Sequence, residues 1–136
     1  RWFLLCSNKQ KYVTLALDRM SKISIENEIE YLDLNIDGDS YYKDVVGVTV
    51  SIARAERIQF WVDKKNAPYV ITKPFHKSQR TIKQTKDGVI FNIFVQINYE
   101  LERMILGFGD SIEVIKPDKL RNRILGKLHR AAANYE

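Results

Sequence analysis

Several features that would point to a particular chemistry are scarce in this 136-residue sequence. The single cysteine, Cys6, excludes an internal disulfide, and with only two histidines, far apart in the chain, it argues against a structural zinc site. Six glycines and three prolines leave no collagen-like or low-complexity segment. No apolar run approaches the roughly 20 residues that cross a bilayer, so we expect no membrane association. The remaining composition, 45% hydrophobic and 29% charged, is typical of a soluble globular chain.

Recognisable catalytic and phosphate-binding motifs are missing as well. Neither a dinucleotide-binding glycine motif nor a P-loop occurs, and residues 107–110 (GFGD) indicate only a helix end. No pair of acids lies where a general acid and base would be expected, and Cys6 lies in an apolar stretch without an activating partner. We therefore expect no enzymatic activity, no catalytic residue, no cofactor and no metal. Since nothing indicates secretion, we expect a cytoplasmic location.

The net charge of +5 is unevenly distributed. Residues 73–86 carry five cations and no acid, and residues 116–130 carry six cations against one acid. Many of the acids lie in residues 26–44. An anion-binding face would explain this separation, and so would a solvated surface beside an acidic connector. Charge alone leaves both explanations open.

The first 25 residues predict a β-hairpin. Residues 2–6 and 12–17 are rich in β-forming side chains around a polar turn at 7–11, and residues 20–25 alternate in the manner of a third short strand. Two or three strands alone are marginally stable in water and leave unpaired edges. We therefore expect partner strands upstream, so that this chain is the C-terminal part of a longer protein.

A second, compact unit is predicted from residue 45 onward. Residues 53–66 predict a helix, Asn98 predicts a helix N-cap, and the last helix is predicted to begin with Asp118 as its cap. Strands and extended segments are predicted over residues 45–52, 68–75, 80–85, 89–99 and 111–116. The resulting order, β-α-β-β-α-β plus a terminal helix, is that of the split βαβ or ferredoxin-like arrangement. The sheet would be antiparallel, with helices on one face.

One polar cluster lies between the predicted strands of the second unit. His76, Lys77, Ser78, Gln79 and Arg80 bring imidazole, hydroxyl, amide and cationic groups together. These groups suit contact with an anion or a nucleotide. The alternative is a loop whose Ser and Gln side chains bond the backbone, and the sequence leaves both interpretations open.

Two parts of the chain resemble a known family. RWFLLCSN followed by VTLALDRMSKISI resembles the latter half of a WYL domain, where a Trp-Tyr-Leu triplet, a turn and a strand ending Leu-Asp-Arg-Ile follow one another. HKSQR, the alternating 89–99 strand, LGFGDSIEVIKP and the closing basic helix resemble the C-terminal extension of bacterial WYL-type transcription regulators. The chain departs from the pattern at Phe3, where the family has Tyr, and at Val13, where many members have Arg; Arg19 is retained.

The resemblance implies an α+β protein made of a partial Sm-like β-barrel, here a hairpin, and a ferredoxin-like domain with an extra C-terminal helix. It assigns residues 1–30 to the WYL domain, 31–44 to an acidic linker and 45–136 to the extension domain. It also implies a homodimeric, non-enzymatic region that senses a ligand, with nucleic acid or nucleotides as the favoured class. This region would regulate DNA binding by an upstream helix-turn-helix absent from this chain.

The expected ligand contacts follow from the same resemblance. Trp2, Tyr12 and Arg19 would stack a base and hold a phosphate, and the cationic segment at residues 73–86, which contains the contacts His76 to Arg80, would extend this track. Two other functions remain open. The chain could bind nucleic acid directly through residues 73–86 and 116–130, or it could be a small-molecule-binding ferredoxin-like domain.

Overall fold

The computed structural model describes residues 2–8 and 11–136. The chain divides into two compact units, residues 1–43 and residues 44–136. Each unit combines helices with antiparallel strands. The predicted α+β class is therefore confirmed.

The first unit is built on the predicted hairpin. Strands β1 (Phe3–Asn8) and β2 (Lys11–Ala16) pair antiparallel, and a short 3-10 turn at Leu17–Arg19 follows. Helix α1 (Gly38–Tyr41) begins at an aspartate, Asp37, whose carboxylate accepts a hydrogen bond from the Asp39 N–H. Such a cap satisfies one of the backbone donors that a helix leaves free at its start.

Two tyrosines connect α1 to the hairpin. The Tyr42 hydroxyl lies 2.7 Å from Thr14 Oγ1, and the ring of Tyr41 meets that of Tyr12 edge to face at 5.4 Å. The third strand predicted at residues 20–25 is wrong, because the described structure has no strand there. Lys22 adopts a left-handed φ of 53°, which interrupts the extended run.

The second unit is a four-stranded sheet covered by helices. Its strands are β3 (Glu56–Asp63), β4 (Arg80–Gln84), β5 (Gly88–Val95) and β6 (Ile112–Lys116), and its helices are α2 (Ala67–Thr72), α3 (Tyr99–Leu106) and α4 (Asp118–Ala132). The sheet order is β4-β5-β3-β6, and every neighbouring pair is antiparallel. This is the predicted split βαβ order, with α4 as the additional helix.

The first βα unit has this order, although its predicted boundaries were wrong. Residues predicted as a helix over 53–66 form β3, where Ile58, Phe60 and Val62 are fully buried and alternate with more exposed neighbours. A period of two places these three side chains on one face of a central strand. Residues 68–75, predicted as extended, contain most of α2, and Pro68 lies in its first turn, where a missing N–H costs little.

The segment predicted as a strand over residues 45–52 has no regular structure. Three alternate polar side chains fasten it to the end of β5 and the start of α3. Gln96 Oε1 accepts from the Ser51 N–H, Glu100 Oε1 accepts from the Val48 N–H, and Asn98 Nδ2 donates to two carbonyls of the segment, at 2.9 and 3.0 Å. These side-chain hydrogen bonds take the place of the backbone hydrogen bonds that a neighbouring strand would make.

Other predictions for this unit are confirmed. The alternation over residues 89–99 predicts one buried apolar face, and Val89, Phe91, Ile93 and Val95 are buried in one core with residues from β3, α3 and α4, while Ile97 is partly buried against it. Asn98 caps α3 by accepting from the Leu101 N–H at 2.9 Å.

The start and the burial of α4 differ from the prediction. Its N-cap is Pro117, and Asp118 makes no side-chain cap bond. The apolar side chains at positions 120, 124, 128 and 135, whose spacing predicts one helical stripe, are not all covered: Leu120 and Ile124 are buried, whereas Leu128 and Tyr135 are exposed. The physical reason is that only the first half of α4 packs on the core. No helix among the described residues is both long and apolar enough to traverse a bilayer.

Candidate functional site

The three ligand contacts predicted in the first unit all lie on its surface, but they do not form one cluster. Trp2 is 82% exposed, and its carbonyl accepts from the Leu17 N–H at 3.1 Å. Arg19 is exposed in the turn that follows β2, at the same end of the hairpin as Trp2. Tyr12 lies near the opposite end, paired with Ser7 and in contact with Tyr41. Five residues of strand, roughly 17 Å, separate Tyr12 from Leu17.

The polar cluster predicted at residues 76–80 is a loop tied to the backbone around it. His76 Nδ1 lies 2.8 Å from Ser78 Oγ, and that hydroxyl accepts from the Phe94 N–H at 2.8 Å. Gln79 accepts from the Phe75 N–H at 3.0 Å and donates to the Val70 carbonyl at 2.8 Å. These bonds match the loop interpretation for Ser78 and Gln79.

Two cations extend from this loop. Arg80 donates from Nη1 to the carbonyls of Gln79 and Lys77, at 2.7 and 3.2 Å. Both Arg80 and Lys77 remain exposed. Side-chain bonds of Ser78, Gln79 and Arg80 to backbone groups therefore hold the loop, which presents positive charge at the surface.

In the basic segment at residues 116–130, four of the six cations form ion pairs with acids of the same unit. Lys119 pairs with Glu56, and Arg121 pairs with Glu113 at 2.5 Å. Two further cations meet a single carboxylate: Arg123 Nη2 and Lys127 Nζ lie 2.5 and 2.8 Å from the oxygens of Glu102.

Glu102 projects from α3 and is only 1% exposed. A buried carboxylate is costly unless it is paired, so Arg123 and Lys127 compensate its charge and fasten α4 to α3.

The other basic segment, residues 73–86, keeps most of its charge available. Among the described residues, no carboxylate lies within ion-pair distance of Lys77, Arg80, Lys83 or Lys86. Lys73 lies over the Tyr69 ring, 5.4 Å from its centre. Strand β4, which holds Arg80 and Lys83, is an edge strand whose five residues are all exposed.

The sheet places part of this charge beside aromatic side chains. Helices cover the face that bears Phe60 and Phe91, so the alternate residues form the opposite face, hereafter the open face. Residues paired across neighbouring strands form three rows on that face, each running across the sheet. The first row is Arg57–Phe94, on β3 and β5. The other two cross all four strands from β6 to β4 and are Lys116–Gln59–Asn92–Arg80 and Glu113–Trp61–Ile90–Lys83.

A surface depression of about 560 Å³ lies at one side of the open face. It is lined by Arg57, Gln59, Asn92, Lys116, Pro117 and Asp118. Asn92 Oδ1 is shielded from solvent there and accepts no hydrogen bond from any described residue. The described residues contain no group of three or more His, Cys, Asp or Glu side chains that could hold a metal ion.

Comparison with known proteins identifies the second unit. The model of the WCX domain family matches residues 54–132, which is more than half of the chain and contains every strand and helix from β3 to α4. The chain belongs to the WCX domain family. WCX domains are found in WYL-type regulators, which agrees with the resemblance of this part of the sequence. No curated protein matches the chain.

Sequence reasoning missed the aromatic and cationic residues of the WCX open face. Arg57 and Trp61 lie in β3, which the sequence analysis predicted as a helix, so their relation to Phe94 was hidden. The alternation Ile58, Phe60, Val62 was the signal that would have revealed it. Both basic segments, residues 73–86 and 116–130, lie within the residues matched to the WCX domain.

An aspartate at the end of β3 organises the turn into α2 of the WCX domain. Hydrogen bonds from the Asn66 N–H and side chain lower the pKa of Asp63, and burial opposes them. The Ser111 side chain and the Lys65 N–H contribute smaller effects in the same direction as Asn66. Asp63 is therefore a structural acid, held ionised by the groups that donate to it.

Proposed function

We propose that this chain is the ligand-sensing and dimerisation region of a bacterial WYL-type transcription regulator. The observation that carries the proposal is the WCX family match over residues 54–132. A β-hairpin precedes it in the chain, with Trp2-Phe3-Leu4 at the start of one strand and Leu17-Asp18-Arg19 directly after the other. We assign residues 1–30 to the end of a WYL domain, 31–44 to a linker and 45–136 to the extension domain.

The ligand class follows from the exposed groups. On the hairpin, Trp2 offers an aromatic face and Arg19 a cation at the same end, which suits stacking of a base next to a phosphate. Tyr12 provides a second, separate aromatic contact. A nucleic acid or nucleotide effector fits this combination. In the second unit, Lys77 and Arg80 are proposed separately as phosphate contacts, beside His76, Ser78 and Gln79.

Regulation requires the effector to distinguish two arrangements of the protein. A ligand shifts an equilibrium only as far as its affinities for the two states differ. In a homodimer, we expect effector binding to favour one arrangement of the two copies, which then changes how an upstream helix-turn-helix meets its operator. This region itself carries out no catalysis in the proposal.

Operator binding by the longer protein that contains this chain tests the regulatory role. Its affinity for labelled operator DNA would be measured with and without a 12-nucleotide single-stranded DNA and, separately, mononucleotides. We expect at least one of these probes to change operator affinity about tenfold, and Arg19→Ala to reduce that response without altering effector-free binding. Lys22→Ala, an exposed cation beyond the turn, is the matched control.

Two results would overturn the proposal. One is a longer protein that lacks a DNA-binding domain. The other is an operator affinity that none of the probes changes, or that changes only with small molecules unrelated to nucleotides. Sedimentation equilibrium of the chain itself checks dimerisation, for which the expected mass is twice 15.9 kDa.

A further inference from the structure

The open face of the WCX sheet carries two aromatic rings on its two central strands. Trp61 belongs to β3 and Phe94 to β5, and Phe94 is 50% exposed although its strand lies inside the sheet. The indole of Trp61 lies directly over Gly88, at the hairpin end. It is so close that a Cβ added at Gly88 would collide with the indole. The rings are about four residues apart along the strands, roughly 13 Å.

Cations surround these rings. Arg57 is paired with Phe94 across the strands, Lys83 lies in the same row as Trp61, and Arg80 and Lys116 occupy the two ends of the row between them. Two of the nearby acids are already engaged, since Glu113 pairs with Arg121 and Asp63 accepts from Asn66. Asp118 is also at the rim, beside Pro117, and disfavours a phosphate at that corner.

Between the rings lies an acceptor without a donor. Asn92 Oδ1 is shielded and makes no hydrogen bond with a described residue, and a buried acceptor left unpaired is costly. An N–H on the Watson–Crick edge of an unpaired base, such as N3–H of thymine or uracil, is a donor of the right kind for this position.

We propose that this open face binds single-stranded nucleic acid, with bases stacked on Trp61 and Phe94 and the backbone running along Arg57, Arg80 and Lys83. Four-stranded sheets that stack unpaired bases on aromatic side chains are a recurring way to bind single strands. The rings favour a single strand over a duplex, because stacked base pairs hide their faces. The proposal does not rest on the regulatory role.

Charge argues against a second copy of the chain as the occupant. A symmetric contact between two open faces would bring the same cations close to one another. The phosphates of a nucleic acid complement them instead.

Fluorescence anisotropy of the chain with labelled 12-nucleotide dT and rU strands, and with a 12-base-pair duplex, tests the proposal. We expect a single strand to bind more tightly than the duplex at low salt; the two sugars show whether DNA or RNA is preferred. Phe94→Ala should weaken single-strand binding roughly 5- to 100-fold, which corresponds to the loss of one stacked base. Tyr99→Ala, an exposed aromatic beside Lys127 on the helix layer, is the matched control and should change little.

Salt dependence checks the cations. Each phosphate contact on a single strand contributes about 0.7 to the slope of log affinity against log salt. Arg57→Ala combined with Lys83→Ala should therefore reduce that slope by about 1.4. Arg103→Ala, an exposed cation on α3, should leave it unchanged.

Tryptophan fluorescence shows where the strand binds. The chain has two tryptophans, so quenching by dT or rU that is lost in Trp61→Phe and retained in Trp2→Phe supports the open face. Quenching lost only in Trp2→Phe places the strand on the hairpin, which overturns this proposal while agreeing with the regulatory one.

Three other results would overturn it. These are no single-strand binding at low salt, equal affinity for strand and duplex, and a Phe94→Ala effect no larger than that of Tyr99→Ala. If Phe94→Ala melts too early for the assay, Phe94→Leu takes its place, because leucine keeps the apolar bulk and removes the ring.

Discussion

The two basic segments of the WCX domain have the same net charge and different uses. Residues 73–86 and 116–130 each carry +5. In the second segment, four of the six cations pair with acids, and two of these compensate one buried carboxylate. In the first segment, Lys77, Arg80, Lys83 and Lys86 face solvent. Net charge along a sequence therefore does not distinguish a structural cation from one available to a ligand.

The difference comes from secondary structure. Arg123 and Lys127 are four residues apart on a helix, so both lie on the face of α4 that meets Glu102. Arg80 and Lys83 lie on an edge strand, where no neighbouring element supplies an acid. The packed helix α4 therefore uses its cations in ion pairs, whereas the edge strand β4 leaves its cations exposed to solvent.

Removal of two cations from each segment should give the largest difference in the free energy of unfolding between the two segments. In α4, Arg123→Ala combined with Lys127→Ala leaves Glu102 buried and uncompensated, and we expect a loss of about 3 kcal/mol in the free energy of unfolding. The matched double variant, Lys77→Ala with Lys83→Ala, should change that free energy by less than about 0.5 kcal/mol. Urea denaturation measures both.

Neutralising the carboxylate provides the control for this prediction. Glu102→Gln added to the α4 double variant removes the buried charge, so part of the lost stability should return. Equal destabilisation by the two double variants would contradict the assignment of α4 cations to structure and β4 cations to the surface.

Substitution of two glycines, one just after the first basic segment and one within the second, gives the next largest contrast in stability. At Gly88, which begins β5 beside the basic edge strand, a Cβ would lie 2.3 Å from the Val62 carbonyl oxygen and 2.5 Å from Trp61 Nε1. Gly88→Ala should therefore cost about 2 kcal/mol. At Gly126 in α4 the nearest atom is Arg130 Nη1, at 3.6 Å, and Gly126→Ala should stabilise by up to about 1 kcal/mol.

Thermal unfolding of both glycine variants measures this contrast. A Gly88→Ala protein as stable as the parent would show that the hairpin end can shift away from Trp61 without cost. A destabilised Gly126→Ala protein would show that α4 is packed more tightly at this point than the distances indicate.

The smallest expected effect concerns the loop that presents Lys77 and Arg80. Ser78→Ala removes the hydroxyl that accepts from the Phe94 N–H and contacts His76, and should cost about 1 kcal/mol in unfolding. Lys86→Ala, in the turn beyond β4 and without a described partner, is the control. Chemical denaturation that finds the two variants alike would show that Ser78 does not hold the loop.

The sequence predicted the fold better where one periodicity was unmistakable. The apolar row of β5 and the Asn98 cap of α3 were readable because alternation and capping are local signals. Residues 53–66 were misread because apolar side chains at 55, 58, 61 and 62 also fit a helical stripe. The predicted order of elements is still correct, because the strand and the helix of the first βα unit both lie further toward the C-terminus than predicted.

The candidate site was predicted only in part. The polar side chains of residues 76–80 were visible in the sequence, but the bonds that occupy Ser78 and Gln79 involve backbone groups of Phe94 and Val70. The pairing of Arg57 with Phe94 and the engagement of the α4 cations with Glu102 depend on contacts between distant segments. Only the sheet register and the helix packing reveal these relations.

Asn98 connects α3 of the WCX domain to the segment that precedes the domain in the chain. The same side chain accepts from the first turn of α3 and donates to the carbonyls of Val46 and Thr49. A fluctuation that frays the start of α3 therefore also releases the segment at 44–51, and the two should open as one cooperative unit in hydrogen exchange. One side chain therefore links the stability of the helix layer to that of the stretch of chain that leads into the domain.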